Sequence, residues 1–487
     1  MERKDILLIY PEYTYPRKNP PLGLAYLAAY LEQEGFQPLV LDFNVLPLTN
    51  QAFKAILHSR PWLLLGVSFM TSQFSEVLRM SGLIKEVLPQ TLLVAGGPHP
   101  SSIPDRTLQE VPGLDVIVKG EGEITLTELA RVVAADHPLD GVAGLYYRVD
   151  GTVVNTGERP LIEDINQMPF AAWKYIDVWK YKVFNSGAGS ASGSDAPTFA
   201  LLSSRGCPNP CTFCDSHTIF TRKFRARSAE NIFAEVMVLH REYGMVEFDF
   251  VDDLITVNKS RVLAFCQLIC ETGIPFRWMA NARVNTVDYE MLKAMKEAGC
   301  ARVDFGVESG DPKVLKLMRK NITEQQIREA HSISKELGIA TGSFTMVGNM
   351  GETKESIDMT VALLKDIGED VMVSIACPYP GTELYRLAKE KGFINTEDWS
   401  QYVTSPVYSP GYRPLMRTEY RTEKEILESF YYLHSFFARR KFEQRYGRFF
   451  YLSPRFYKKW ILEAQNLTSR FGMATSLVSA RIKGLFK

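Results

Sequence analysis

The sequence predicts an α/β protein built in two stages. An N-terminal doubly wound parallel sheet of flavodoxin or Rossmann type precedes a partial (β/α)6 barrel of TIM type, and a helical C-terminal region follows. Three observations predict this. Five short apolar runs separated by helical patterns fill the first 135 residues. Six longer strand–helix units follow from residue 199. Between them the alternation stops, at a hairpin and a Gly/Ser-rich stretch. The expected boundaries are 1–138, 139–195 for hairpin and linker, 196–402 for the barrel, and 403–487 for a basic, aromatic helical region.

The first five strand candidates are 5–10, 38–42, 62–67, 91–95 and 115–118. They are rich in Leu, Val and Ile without strict alternation, as in parallel strands covered on both faces. Helical patterns such as Leu22 to Glu34 and Phe74 to Val87 lie between them, which argues for a doubly wound sheet. Gly144 to Val154 reads as a hairpin turning at Asp150-Gly151. Residues 186–195 read as a flexible loop. The second series of strand candidates is 199–204, 246–251, 275–279, 301–306, 340–346 and 371–376. Thr323 with Gln326 three residues on is a capping-box signature for the helix between the fourth and fifth of these strands. Segment 402–415, with Pro406, Pro410 and Pro414, reads as a linker.

A chain of 487 residues suits two to four domains at about 150 residues each. Its 46 % apolar and 23 % charged residues exclude a mainly disordered or collagen-like chain. No run approaches the roughly 18 apolar residues of a membrane span. The first apolar run, Ile6 to Tyr10, is too short for a signal-peptide core, so a cytoplasmic protein is expected. The 56 basic and 56 acidic residues balance, but unevenly: residues 431–487 hold 12 basic and 2 acidic ones.

Arg205-Gly206-Cys207-Pro208-Asn209-Pro210-Cys211-Thr212-Phe213-Cys214 is the strongest signal. It follows the first strand of the second series, where barrel proteins carry their sites. Thiolates are soft ligands for zinc or iron–sulfur clusters. Three cysteines in one loop can wrap one face of a cubane cluster and leave the fourth iron open. A zinc site completed by His217 is the alternative. Cys266, Cys270, Cys300 and Cys377 read as core thiols. His58, His137, His240, His331 and His434 read as structural or surface residues.

The C-x3-C-x2-C loop, with an aromatic before its last cysteine, resembles that of the radical S-adenosylmethionine enzymes. Over roughly 195–400 further strand-end segments match: Phe248 to Asp253, Asn281-Ala282-Arg283, Gly306 to Gly310, Met346 to Thr353, and Pro378 to Thr382. The resemblance implies that Cys207, Cys211 and Cys214 hold a [4Fe–4S] cluster. It implies that the open iron chelates S-adenosylmethionine and that one electron releases a 5′-deoxyadenosyl radical. Phe213, Asp252, Asp253, Arg283, Glu308, Ser309 and Gly348 are then the expected S-adenosylmethionine contacts.

The first unit resembles the cobalamin-binding domain that precedes many such barrels. Its strand-end segments imply cobalamin contacts at Pro21, Gly23, Ser68, Gly96, Gly97, His99, Gly120, Glu121 and Gly122. The Asp-x-His-x-x-Gly motif that gives cobalt a histidine in many relatives is absent. His99 is the one histidine in a candidate loop. The alternative is that the domain has lost the cofactor and serves only as scaffold.

The expected function is a cobalamin-dependent radical S-adenosylmethionine enzyme that methylates an unactivated carbon of a small-molecule or lipid substrate. It would draw electrons from a reductant such as flavodoxin or ferredoxin. Cyclisation or oxidation without methyl transfer is the alternative, and a non-catalytic metal-binding scaffold a second. Residues 430–460 interleave aromatic and basic side chains. They read as a helical cap on the barrel, or as a peripheral contact with anionic lipid; a nucleic-acid partner is not expected.

Overall fold

The computed structural model describes residues 4–12, 20–181, 199–368, 370–405 and 411–446. The expected loop at 186–195 and the tail beyond Tyr446 lie outside them.

Strands β1 (Asp5–Tyr10), β2 (Gln37–Asp42), β3 (Leu64–Ser68), β4 (Leu92–Gly96) and β5 (Val116–Val118) form a parallel sheet in the order β2-β1-β3-β4-β5. Helices α1 (Leu22–Gln33), α2 (Asn50–His58), α3 (Phe74–Val87), α4 (Pro98–Ser102), α5 (Pro104–Glu110) and α6 (Gly122–Ala134) make the crossovers. The apolar run of β1 explains the layering. Ile6 and Leu8 pack with Leu24 and Ala28 of α1 and Leu129 of α6. Leu7 and Ile9 pack on the opposite face with Phe53 of α2 and Val77 and Met80 of α3.

The hairpin forms as read, β6 (Leu145–Val149) and β7 (Thr152–Asn155) turning at Asp150-Gly151. It does not belong to a separate connector. β6 pairs antiparallel with β5 and extends the first sheet to seven strands.

The second sheet runs in sequence order and is wholly parallel: β8 (Phe199–Leu201), β11 (Glu247–Phe250), β12 (Arg277–Ala282), β13 (Cys300–Glu308), β14 (Ala340–Val347) and β15 (Asp370–Ile375). The single strand expected over 199–204 is broken. β9 (Ser204–Arg205) leaves the sheet and pairs antiparallel with β10 (Arg225–Ala226). The break follows from Ser203, whose amide donates to the Asp252 carboxylate rather than to a ladder.

Helices α7 (His217–Phe220), α8 (Ala229–Tyr243), α9 (Lys259–Glu271), α10 (Tyr289–Glu297), α11 (Pro312–Leu317), α12 (Glu324–Glu336), α13 (Lys354–Ile367) and α14 (Glu383–Glu390) follow in order. α12 opens with the expected capping box of Thr323 and Gln326. α15 (Glu423–Tyr446) packs on β15. Its buried Ile426, Phe430, Leu433 and Phe437 share a core with Val371 and Val373. These valines pair with Ser343 and Thr345 on the face that α12 covers through His331, so α15 is a barrel helix over its described length.

The register places Asp249, Met279, Arg302, Asp304, Gly342, Phe344 and Met372 on the opposite, concave face. The floor is charged: Arg302 pairs with Asp304 at 2.6 Å and Asp370 at 2.9 Å. Cys266, Cys300 and Cys377 are buried as expected, but Cys270 is exposed at the solvent face of α9.

Candidate functional site

The cysteine loop leaves the barrel at β9 and returns at β10. Gly206 makes its first turn, with φ +81° and a pro-Cβ position 2.3 Å from the Lys223 carbonyl oxygen. No residue with a side chain fits there without opening the ribbon. Cys211 is buried, and Cys207 and Cys214 are half-buried. The sulfurs meet polar partners. Asn209 Nδ2 donates to Cys207 Sγ at 3.3 Å, and Arg283 Nη1 to Cys211 Sγ at 3.5 Å. Cys214 Sγ lies 3.3 Å from Ser216 Oγ, and burial pushes its thiol up.

This donor set fits a cluster. Thiolates with N–H partners suit iron–sulfur ligation. Among the described residues, no three Cys, His, Asp or Glu side chains converge as they would on a single ion. His217 Nδ1 lies 3.0 Å from the Cys214 carbonyl oxygen. The core thiols differ from the loop thiols: burial pushes Cys300 up to about 12 and Cys266 and Cys377 up as well.

The expected S-adenosylmethionine contacts fall into two groups. Phe213, Asp253, Arg283 and Glu308 gather round the loop. Arg283 is buried and also donates to the Lys320 carbonyl. Glu308 is buried with φ +63°, a left-handed conformation that costs energy outside glycine, and it accepts Lys320 Nζ at 2.7 Å. That ammonium sits 5.8 Å from the Phe213 ring centre. Burial, then the carboxylates of Asp252 and Asp215, push Asp253 up to about 6.

Asp252, Ser309 and Gly348 do other work. The Asp252 carboxylate accepts both Ser203 donors and the Ser204 hydroxyl, so it holds the stem of the loop. Ser309 Oγ accepts the Asp311 amide and lies 3.4 Å from Thr360 Oγ1. Gly348 lies against Ile426 of α15, and its amide donates to Glu352.

Across the interface stand the ends of β3, β4 and β5. The Pro21 carbonyl accepts the Leu24 and Ala25 amides in the first turn of α1. Gly23, Gly96 and Gly120 leave room beside the backbone, whereas a Cβ on Gly97 would lie 2.9 Å from Phe69 and Ser68 atoms. Gly122 lies against Leu27. Small residues at this sheet edge suit a large planar ligand.

Two expectations for this edge need correcting. His99 is 0 % exposed. It is walled in by Phe69, Phe74 and Trp399, and its Nδ1 lies 3.1 Å from Thr71 Oγ1. Burial holds it down to about 3, so it is a neutral core residue and not a cofactor-facing one. Glu121 is buried too. It pairs with Arg205 and Arg225 of the barrel, each at 2.9 Å. Burial raises its carboxyl, but the two guanidiniums outweigh that and hold it below the usual range. Glu123 completes the group at 2.5 Å from Arg205. Arg205 opens the cysteine motif, but neither Glu123 nor Arg225 was singled out, and nothing in their spacing showed that the three meet.

Residues 201–364 match the model of the radical SAM superfamily, and residues 14–130 match that of the B12 binding domain. Fold and site thus define a radical S-adenosylmethionine enzyme with a cobalamin domain. An uncharacterized methyltransferase of Pyrococcus horikoshii, PH0819, is 34 % identical over 434 residues, covering 88 % of this chain and 90 % of its own. The cytidylyl-2-hydroxyethylphosphonate methyltransferase of Streptomyces wedmorensis is 28 % identical, covering 81 % and 83 %. The anaerobic magnesium-protoporphyrin IX monomethyl ester cyclase of Rubrivivax gelatinosus is 27 % identical, covering 83 % and 73 %. Two solved structures share the fold. The methyltransferase TsrM of Kitasatospora setae has a TM-score of 0.67 at 20 % identity, over 80 % of this chain and 75 % of its own. The cobalamin-dependent enzyme OxsB has 0.71 at 18 %, over 96 % and 71 %. The chain belongs to the cobalamin-dependent radical S-adenosylmethionine methyltransferases.

Proposed function

We propose that this enzyme methylates an unactivated carbon of a small molecule with an apolar body. One observation carries the proposal: the three-thiol loop abuts the carboxyl edge of the N-terminal sheet. A Cβ on Gly120 would lie 3.7 Å from the Ile219 carbonyl, and one on Gly381 would lie 3.1 Å from both Ser102 and Thr218. This proximity supports a reading in which the two cofactor sites face each other. When bound, the cluster supplies the electron that cleaves S-adenosylmethionine, and cobalamin supplies the methyl group.

The chain's own residues position and shield. Cys207, Cys211 and Cys214 would ligate the cluster, with Arg283 beside the Cys211 sulfur. Asp252 fixes the loop stem. Phe344 lies on the concave face of the barrel, and both Val251 and Phe344 are 37 % exposed, as surface for an apolar substrate. A flavodoxin- or ferredoxin-type donor would deliver electrons. Among the described residues no helix is long and apolar enough to cross a membrane. Tyr431 and Tyr432 of α15 are about half exposed (48 % and 49 %) and lead into the basic tail, which supports a peripheral contact with anionic lipid. Failure of the full chain to bind anionic liposomes at low salt would count against that contact.

The test is anaerobic reconstitution with iron, sulfide, cobalamin, reductant and S-adenosylmethionine, against lipid and soluble extracts. 5′-Deoxyadenosine and S-adenosylhomocysteine rising together indicate methyl transfer. 5′-Deoxyadenosine alone would move the reaction to the cyclase or oxidoreductase class. Cys211→Ala should abolish both products, and retained cleavage would overturn the ligand assignment.

A further inference from the structure

Arg205 and Arg225 stand opposite each other in the β9–β10 ribbon, at the two ends of the cysteine loop. They are 3 % and 5 % exposed. Glu121 comes from the other domain, at the end of β5. Its Oε1 accepts Arg205 Nη1 and Arg225 Nη2, and its Oε2 accepts Arg225 Nη1, all at 2.9 Å. Oε2 also accepts the Ile162 amide at 3.1 Å. One carboxylate of the N-terminal domain therefore grips both stems of the loop that carries the three cysteines. Glu123 accepts Arg205 Nη2, the Tyr26 and Phe220 rings flank that guanidinium, and Arg225 also donates to the Ile162 carbonyl at 2.7 Å.

Glu121 is held between Gly120 and Gly122, the strand-end segment that faces the cobalamin side. Gly120 is tied to α4 by its amide, which donates to Ser101 Oγ at 3.1 Å. A ligand that settles on this edge and shifts the segment must also move the carboxylate. Arg225 cannot stay behind without a carboxylate, and Arg205 would keep only Glu123, because uncompensated buried charge is strongly unfavourable. We infer that Glu121 is a positioning residue that couples occupancy of the cobalamin edge to the conformation of the cysteine loop. This rests on the reading that cobalamin binds at that edge.

The test is hydrogen-exchange mass spectrometry on the reconstituted full chain, with and without hydroxocobalamin, with cobalamin retention read from its absorbance. In the parent protein, cobalamin should slow exchange both at the sheet-end peptides around 68–73 and 96–103 and in the loop over 203–226. In Glu121→Gln the sheet-end response should remain and the loop response should be lost. Glu121→Asp, which keeps the charge, should recover part of it. Sheet-end protection with an unchanged loop in the parent would overturn the coupling alone, and that measurement stands even if Glu121→Gln fails to fold. A loop response in Glu121→Gln equal to the parent's would also overturn it. No retained cobalamin would overturn the cobalamin reading and the coupling together.

Discussion

Gly206→Ala tests whether the ribbon geometry sets the cluster loop. The new methyl would lie 2.3 Å from the Lys223 carbonyl oxygen and 3.0 Å from that of Phe220. Ordinary contact starts at 3.4 Å, so the two arms of the ribbon would have to part by about 1 Å. The left-handed backbone adds about 1–2 kcal/mol for any side chain. Forcing extra volume into a packed site adds about 1–3 kcal/mol. The total, about 2–5 kcal/mol, is a large part of a typical stability of about 5–15 kcal/mol. Gly151→Ala is the matched control. Gly151 has φ +80°, but a Cβ there meets nothing within 4 Å, so only the backbone cost of about 1–2 kcal/mol remains. Thermal melts of both apo variants and iron per chain after reconstitution are the assays. Gly206→Ala should melt lower than Gly151→Ala and take up less iron. Equal melting losses, or full iron in Gly206→Ala, would refute the argument.

Arg283→Met removes an N–H donor and a positive charge from beside the Cys211 sulfur, which should lower the cluster's reduction potential in an EPR-monitored titration. Lys320→Met leaves Glu308 buried without its partner and should cost about 3–5 kcal/mol, whereas the double variant Lys320→Met with Glu308→Gln should cost less; chemical denaturation separates them. Burial, then Glu247 and Asp304, push Asp249 up to about 8, and its Oδ2 has no partner. The folded chain therefore keeps that proton when the unfolded chain has lost it, so stability should fall as pH rises from about 4 to about 8. Asp249→Asn should flatten that slope in melts across this range, and an unchanged slope would exclude Asp249 as its source.

Much of this was readable from one sequence because the signals were periodic or chemically dense. Apolar runs such as Ile6–Ile9 mark strands covered on both faces, and three cysteines within eight residues mark a ligand loop. Strand-end motifs were harder to interpret. A carboxylate at a strand end looks the same whether it faces a cofactor or grips a neighbouring loop, and Asp252 and Glu121 do the second. Only the packing of Trp399 over His99 shows that this imidazole is sealed. The Pro-rich stretch before α15 suggested a separate terminal region, because the local pattern does not report that β15 still lacks a covering helix.

That late helix bears on how the enzyme is made. The thiol loop leaves the ribosome more than 200 residues before α15 does. Until Glu423–Tyr446 emerges, the face of β15 that carries Val371 and Val373 lacks the Ile426, Phe430, Leu433 and Phe437 side chains, and a nascent barrel would stay loose while its cysteines are already in solution. Metal insertion during synthesis would therefore meet an unfinished scaffold. Cells that make this protein would gain from delaying iron–sulfur delivery until the chain is released.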